Sequence, residues 1–134
     1  MKKSFLMPPF KEAKSSFVAI SIMFAAFFCS SQTKAQTIPI DSGEHYIGKT
    51  VKICDKVYGT HVSKGEKKVT SLNLGADFPL QKLTLVIFEN DLSKLSYKPE
   101  IFLKDKNVCV TGKVMTYKEK PQIILNEPTQ LTYE

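Results

Sequence analysis

Between Lys49 and Val62 the chain reads KTVKICDKVYGTHV, with apolar side chains at alternate positions. Val51, Ile53 and Val57 share one face; Lys52, Cys54, Lys56 and Tyr58 share the other. Side chains alternate across a strand, so this period of two predicts one long strand with a buried face. Four further stretches read as strands. VTSLNLG sets Leu72 and Leu74 against Ser71 and Asn73. KLTLVIFE is almost wholly apolar, as a central strand covered on most of its surface is. NVCVTGKVMTY and PQIILNEP follow, with TQLTY as a last extended piece.

The segments between them are short. SKGEKK is a polar turn, and GADFPLQ is a loop that Phe78 and Pro79 are expected to pin. Asn90 or Asp91 is expected to cap a short helix through Leu95, and Pro99 to block its extension. Ahead of the first strand, Asp41 or Ser42 is expected to cap one helical turn that Gly48 ends. Five strands are too few for two comfortable layers. Closing on themselves removes their exposed edges, and a long first strand can bend to pair on both sides. The expected fold class is therefore all-β: a five-stranded Greek-key OB-fold barrel with a short helix between the third and fourth strands.

The beginning of the chain has another character. Lys2, Lys3, Lys11 and Lys14 precede the uncharged apolar run from Phe17 to Phe28, and the small, polar CSSQTKAQ follows. That order predicts a secretory signal peptide over residues 1–35, cleaved near Ala35, and a periplasmic or secreted domain over 36–134. The apolar run is too short for a membrane span, which takes about 20 residues. An alternative is a lipoprotein acylated at Cys29, although bulky Phe27 and Phe28 precede it. The full chain has a formal net charge of +6. Removing Lys2, Lys3, Lys11, Lys14, Lys34 and Glu12 leaves 14 lysines against 12 acids, a net of +2, so most of the basicity belongs to targeting. There is no arginine. Cys54 and Cys109 remain, and an oxidising compartment invites their pairing.

The segments IGKTVKICDKV, LNLGADFP, LTLVIF and NVCVTGKVMTYKEKPQI stand in a recognisable order. From His45 to about Gln130 the chain resembles a family of small exported bacterial OB-fold modules regarded as nucleic-acid binding, found alone or appended to secreted nucleases. VCVTG together with KPQI carries most of this resemblance. It implies a binding role, with single-stranded nucleic acid as partner and little sequence specificity. Asp55, Asp105 and Glu119 stand where that family has glycine. Aspartate tolerates positive φ, so bulges are expected to persist at Asp55 and Asp105. Glutamate tolerates it poorly, so a looser loop built on a type I turn is expected around Glu119.

In such a barrel the first and fourth strands are neighbours, and Cys54 and Cys109 point the same way. A cross-strand disulfide forms if their Cα atoms lie within about 7 Å; otherwise two half-buried thiols pack as small apolar groups. OB-folds bind extended ligands between the first–second and fourth–fifth loops. Here the first of these holds Lys64, Lys67 and Lys68, and the second Lys118 and Lys120. Tyr58, Phe88 and Tyr117 are the candidate stacking platforms, with Ser71 and Asn73 as polar contacts. The competing possibility is that the lysines are merely solvated and the rings packed away. His45 and His61 have no nucleophile or carboxylate partner at a catalytic spacing, and no phosphate loop or metal-ligand spacing occurs. No enzyme activity, cofactor or metal is expected. A second functional expectation is an envelope module binding oligosaccharide, peptide or a protein partner through the same groove.

Overall fold

A computed structural model describes residues Lys34–Glu134. The expected signal peptide, with Cys29, lies outside them except for its last two residues. Seven strands form: β1 (Gln36–Ile38), β2 (Thr50–Val62), β3 (Val69–Leu74), β4 (Leu83–Phe88), β5 (Asn107–Tyr117), β6 (Lys120–Ile124) and β7 (Leu131–Tyr133). The five expected strands are β2 to β6. β2 pairs antiparallel with β3, β3 with β4, and β6 with β5, while β4 and β6 run parallel. β5 returns to β2 antiparallel, which closes the ring. This is the five-stranded OB-fold barrel that the pattern predicts.

The length of β2 is what permits closure. Thr50–Lys56 pairs with β5, and Val57–Val62 pairs with β3. The register shifts between Val57 and Gly59, where Tyr58 is the extra residue. A bulge bends and twists its strand, so β2 turns this corner there. The bulge expected at Asp55 is absent, since Asp55 stands in regular register with Val108. Asp105 does adopt φ 65°. It lies in the turn before β5, where its N–H donates to the Val57 carbonyl.

The barrel interior follows the alternation. Ile53, Leu72, Leu85, Val110 and Ile123 are fully buried, each from a different strand. Burial of such a side chain is worth about 1.5–3 kcal/mol. Leu103, from the connection between β4 and β5, is equally buried and joins the same core. That connection holds two single-turn helices, Glu89–Leu92 and Pro99–Phe102, in place of the one expected. Asn90 and Asp91 lie inside the first, whose cap is Phe88. Pro99 opens the second, at a position where a missing N–H costs nothing. Asp41 and Ser42 likewise lie within a 3-10 turn, Ile40–Tyr46, that follows Pro39.

Cys54 and Cys109 are direct cross-strand partners and form a disulfide, with Cα atoms 4.0 Å apart. β1 and β7 extend the sheet on either side of this β2–β5 pair. Burial pushes the Tyr97 phenol above its ordinary pKa, with a smaller contribution from Tyr133. These two rings and Phe102 pack with centroids 4.8–5.7 Å apart.

The β5–β6 hairpin departs from expectation. Tyr117 pairs with Lys120, leaving a two-residue turn with Lys118 at φ 49° and Glu119 at φ 66°. Two positive φ values mark a type I′ turn, whose twist matches the strands it joins. The β5–β6 pairing imposes that turn despite its side chains. A left-handed residue other than glycine costs about 1–2 kcal/mol, part of which a glycine's greater freedom in the unfolded chain would cancel. Glu119→Gly is therefore expected to stabilise the protein by about 0.5–1 kcal/mol. A higher urea midpoint at unchanged m-value would show it; a lower midpoint would refute the account.

Candidate binding groove

The register sets outward-facing side chains of three adjacent strands side by side. Ser71 stands opposite Val86, Asn73 opposite Thr84, and Thr84 beside Gln122. These five form the floor of a groove of about 940 Å³. Asn73 is only 6% exposed, and the Thr84 hydroxyl donates to its Oδ1 over 3.5 Å.

One wall is the loop between β3 and β4. Asp77 fixes it: its Oδ1 accepts the Phe78 N–H at 2.7 Å, and its carbonyl accepts the Leu80 N–H at 2.8 Å. Asp77 also packs against Gly59, where any Cβ would collide with the carboxylate. On the other side, Lys120 Nζ donates to the Pro79 carbonyl at 2.8 Å. Polar contacts thus hold this loop, and Phe78 is left 74% exposed and lining the groove with Pro79. This corrects the expectation that Phe78 pins the loop. The hairpin meets this loop at the same end of the groove, with Tyr117 60% exposed and Lys118 Nζ 5.5 Å from its ring centroid. Phe88 lines the far end and is 43% exposed.

Of the candidate residues, Ser71, Asn73, Phe88, Tyr117, Lys118 and Lys120 line one groove. Tyr58, Lys64, Lys67 and Lys68 lie outside its lining. The bulge takes Tyr58 out of alignment with the floor, and Lys56 Nζ sits 5.3 Å from its ring. Ser63 and Val69, which flank the turn carrying the other three lysines, do line the groove. That turn borders the Phe88 end and the hairpin borders the Lys82 end, because Val69 pairs with Phe88 and β6 starts beside the start of β4. Six residues of β4 separate the two ends, roughly 20 Å at strand rise. His61, Thr84 and Gln122 also line the groove. Sequence reasoning missed the last two: the parity that turns Phe88 outward in β4 also turns Thr84 outward, and register sets Gln122 beside it. No described helix is long and apolar enough to cross a membrane. Among the described residues no group of three or more His, Cys, Asp or Glu side chains could hold a metal ion.

No protein-family model and no curated protein matches the sequence. Solved structures do match in shape. The crystal structure of yeast Stn1 and Ten1 aligns with a TM-score of 0.53 at 14% identity, over 78% of this chain and 65% of that one. This chain thus spans just under two thirds of its yeast counterpart. The S. pombe Stn1–Ten1 complex aligns at 0.44 and 19% identity, over 67% and 66%. A Klebsiella pneumoniae chain named provisionally as a nucleic acid-binding lipoprotein aligns at 0.41 and 13% identity, over 95% and 99%. At 14% identity the yeast similarity is one of fold.

Proposed function

We propose that this chain is a single-stranded nucleic acid-binding module of low sequence specificity, acting outside the cytoplasm. The observation that carries this is the row of solvent-facing rings, Phe78, Tyr117 and Phe88, along one groove that also holds Lys118 and Lys120. Every base has a face to stack, so aromatic platforms bind single strands with little regard to sequence. The chain has no arginine, the side chain most used to read guanine. The resemblance of its sequence segments to exported nucleic-acid-binding modules supports the same conclusion. The disulfide supports a location outside the reducing cytoplasm.

Two groove lysines can neutralise about two phosphates. For a single strand this gives log K against log salt a slope of about −1.4. Fluorescence anisotropy of the purified protein with hexameric DNA and RNA, between roughly 50 and 200 mM salt, should return that slope. The floor favours one other ligand class. Ser71, Asn73, Thr84 and Gln122 are uncharged hydrogen-bonding groups suited to a neutral oligosaccharide. Glycan binding that salt does not change, with no hexamer binding, would replace the nucleic-acid assignment.

A further inference from the structure

The outward face of the β1–β2–β5–β7 sheet has a composition of its own. Register places Thr37, Thr50, Lys52, Cys54 and Lys56 of β1 and β2 on it. Their cross-strand partners on β5 and β7 are Asn107, Cys109, Thr111, Lys113 and Thr132. None of these positions is a carboxylate; the next residue of the ladder is Glu134, whose N–H donates to the Asn107 carbonyl at the Lys56 end of the face. Lys52, Lys56 and Lys113 form no ion pair among the described residues, whereas Lys82, Lys94 and Lys104 each have an acidic partner.

This face is continuous with the groove. β5 belongs to both sheets: Asn107–Lys113 pairs with β2, and Val114–Tyr117 pairs with β6. Its outward positions therefore run from Tyr117 in the groove wall through Met115 to Lys113. Lys113 and Lys52 are diagonal neighbours, which sets their side chains about 7–8 Å apart. Lys56 lies four residues further along β2, and its ammonium sits over the Tyr58 ring. From Tyr117 to Lys56 the path is roughly 35 Å at strand rise. That is on the order of ten nucleotides at a stacked spacing of about 3.4 Å.

We infer that a strand leaving the groove at the hairpin turns back there and runs over this face, its phosphates following Lys113, Lys52 and Lys56. The inference rests on the groove binding nucleic acid. Groove and face together would occlude about sixteen nucleotides, the upper end of the span seen for one OB-fold. Threonine hydroxyls between the lysines supply neutral donors to phosphate oxygens, and from Lys113 to Lys52 no carboxylate stands among the outward positions to repel them.

Salt dependence at two oligonucleotide lengths tests this. A longer oligonucleotide offers more registers to the groove, which raises affinity but leaves the salt slope unchanged. Three further phosphate contacts steepen it by about 2. Anisotropy of the full protein with a 6-mer and an 18-mer of deoxythymidine should give slopes of about −1.4 and −3.5. In the Lys52→Gln/Lys113→Gln variant the 18-mer slope should fall towards that of the 6-mer, with 6-mer affinity unchanged. Equal wild-type slopes at both lengths, or an 18-mer slope untouched by the substitutions, would overturn the route while leaving the groove assignment standing. Binding of neither length would overturn both. Vesicles of phosphatidylcholine with phosphatidylserine provide a final arm. Vesicle binding lost in the variant while the 18-mer slope holds would assign this face to membranes instead.

Discussion

Replacing Cys54 and Cys109 together by alanine is expected to lower stability by about 4 kcal/mol, the chain-entropy value for a loop of this length. The two cysteines lie 55 residues apart in sequence. Small domains have only about 5–15 kcal/mol in total, so the loss is large. For a domain of this size it corresponds to a fall in Tm on the order of 20 °C. The effect acts on the unfolded chain. Seven paired residues, Thr50–Lys56, hold β2 against β5 alongside the bond, so the folded variant is expected to keep its register. The groove lies across β3, β4 and β6, away from the bond, and the variant should still bind where it remains folded. Urea denaturation of oxidised wild type against the double variant measures the difference. A change below about 1 kcal/mol would mean that the unfolded chain is already compact enough to hold the two strands together.

Phe78→Ala with Tyr117→Ala is expected to abolish most nucleic-acid affinity without destabilising the fold. Each base stack contributes about 1–3 kcal/mol. At about 2 kcal/mol apiece the double variant should bind roughly a thousandfold more weakly. Stability should hardly change, because the rings are 74% and 60% exposed and their removal leaves no cavity. Phe78→Tyr and Tyr117→Phe preserve the stacking faces and should retain binding. An affinity within threefold of wild type in the alanine variant would remove stacking from the mechanism. The Asp77 and Lys120 contacts that fix the Phe78 loop use groups other than its ring, so the loop should keep its place when the ring is gone.

Alternation of side chains determined most of the architecture. Val51, Ile53, Val57, Leu72 and Leu74 face inward because period two leaves them no other common side, and the barrel is the closure those faces allow. The same parity set Cys54 and Cys109 each on the outward face of its own strand and put Ser71, Asn73 and Phe88 on the outer surface. These are local facts, fixed by one residue's relation to the next. The tertiary structure decided whatever depended on which distant segment arrives alongside. The β1 pairing rests on three residues, too few to show a period. The β2 corner falls at Tyr58 because β5 holds Asp55 in register and β3 takes over at Val57. The hairpin takes a primed turn through Lys118 and Glu119 because strand twist outweighs their preference for negative φ. Phe78 faces the groove because Gly59 and Lys120, 19 residues before and 42 after it in sequence, hold its loop from either side. Propensity and spacing are written between near neighbours along the chain; bulges, forced turns and loop tethers are set by partners that only folding brings together.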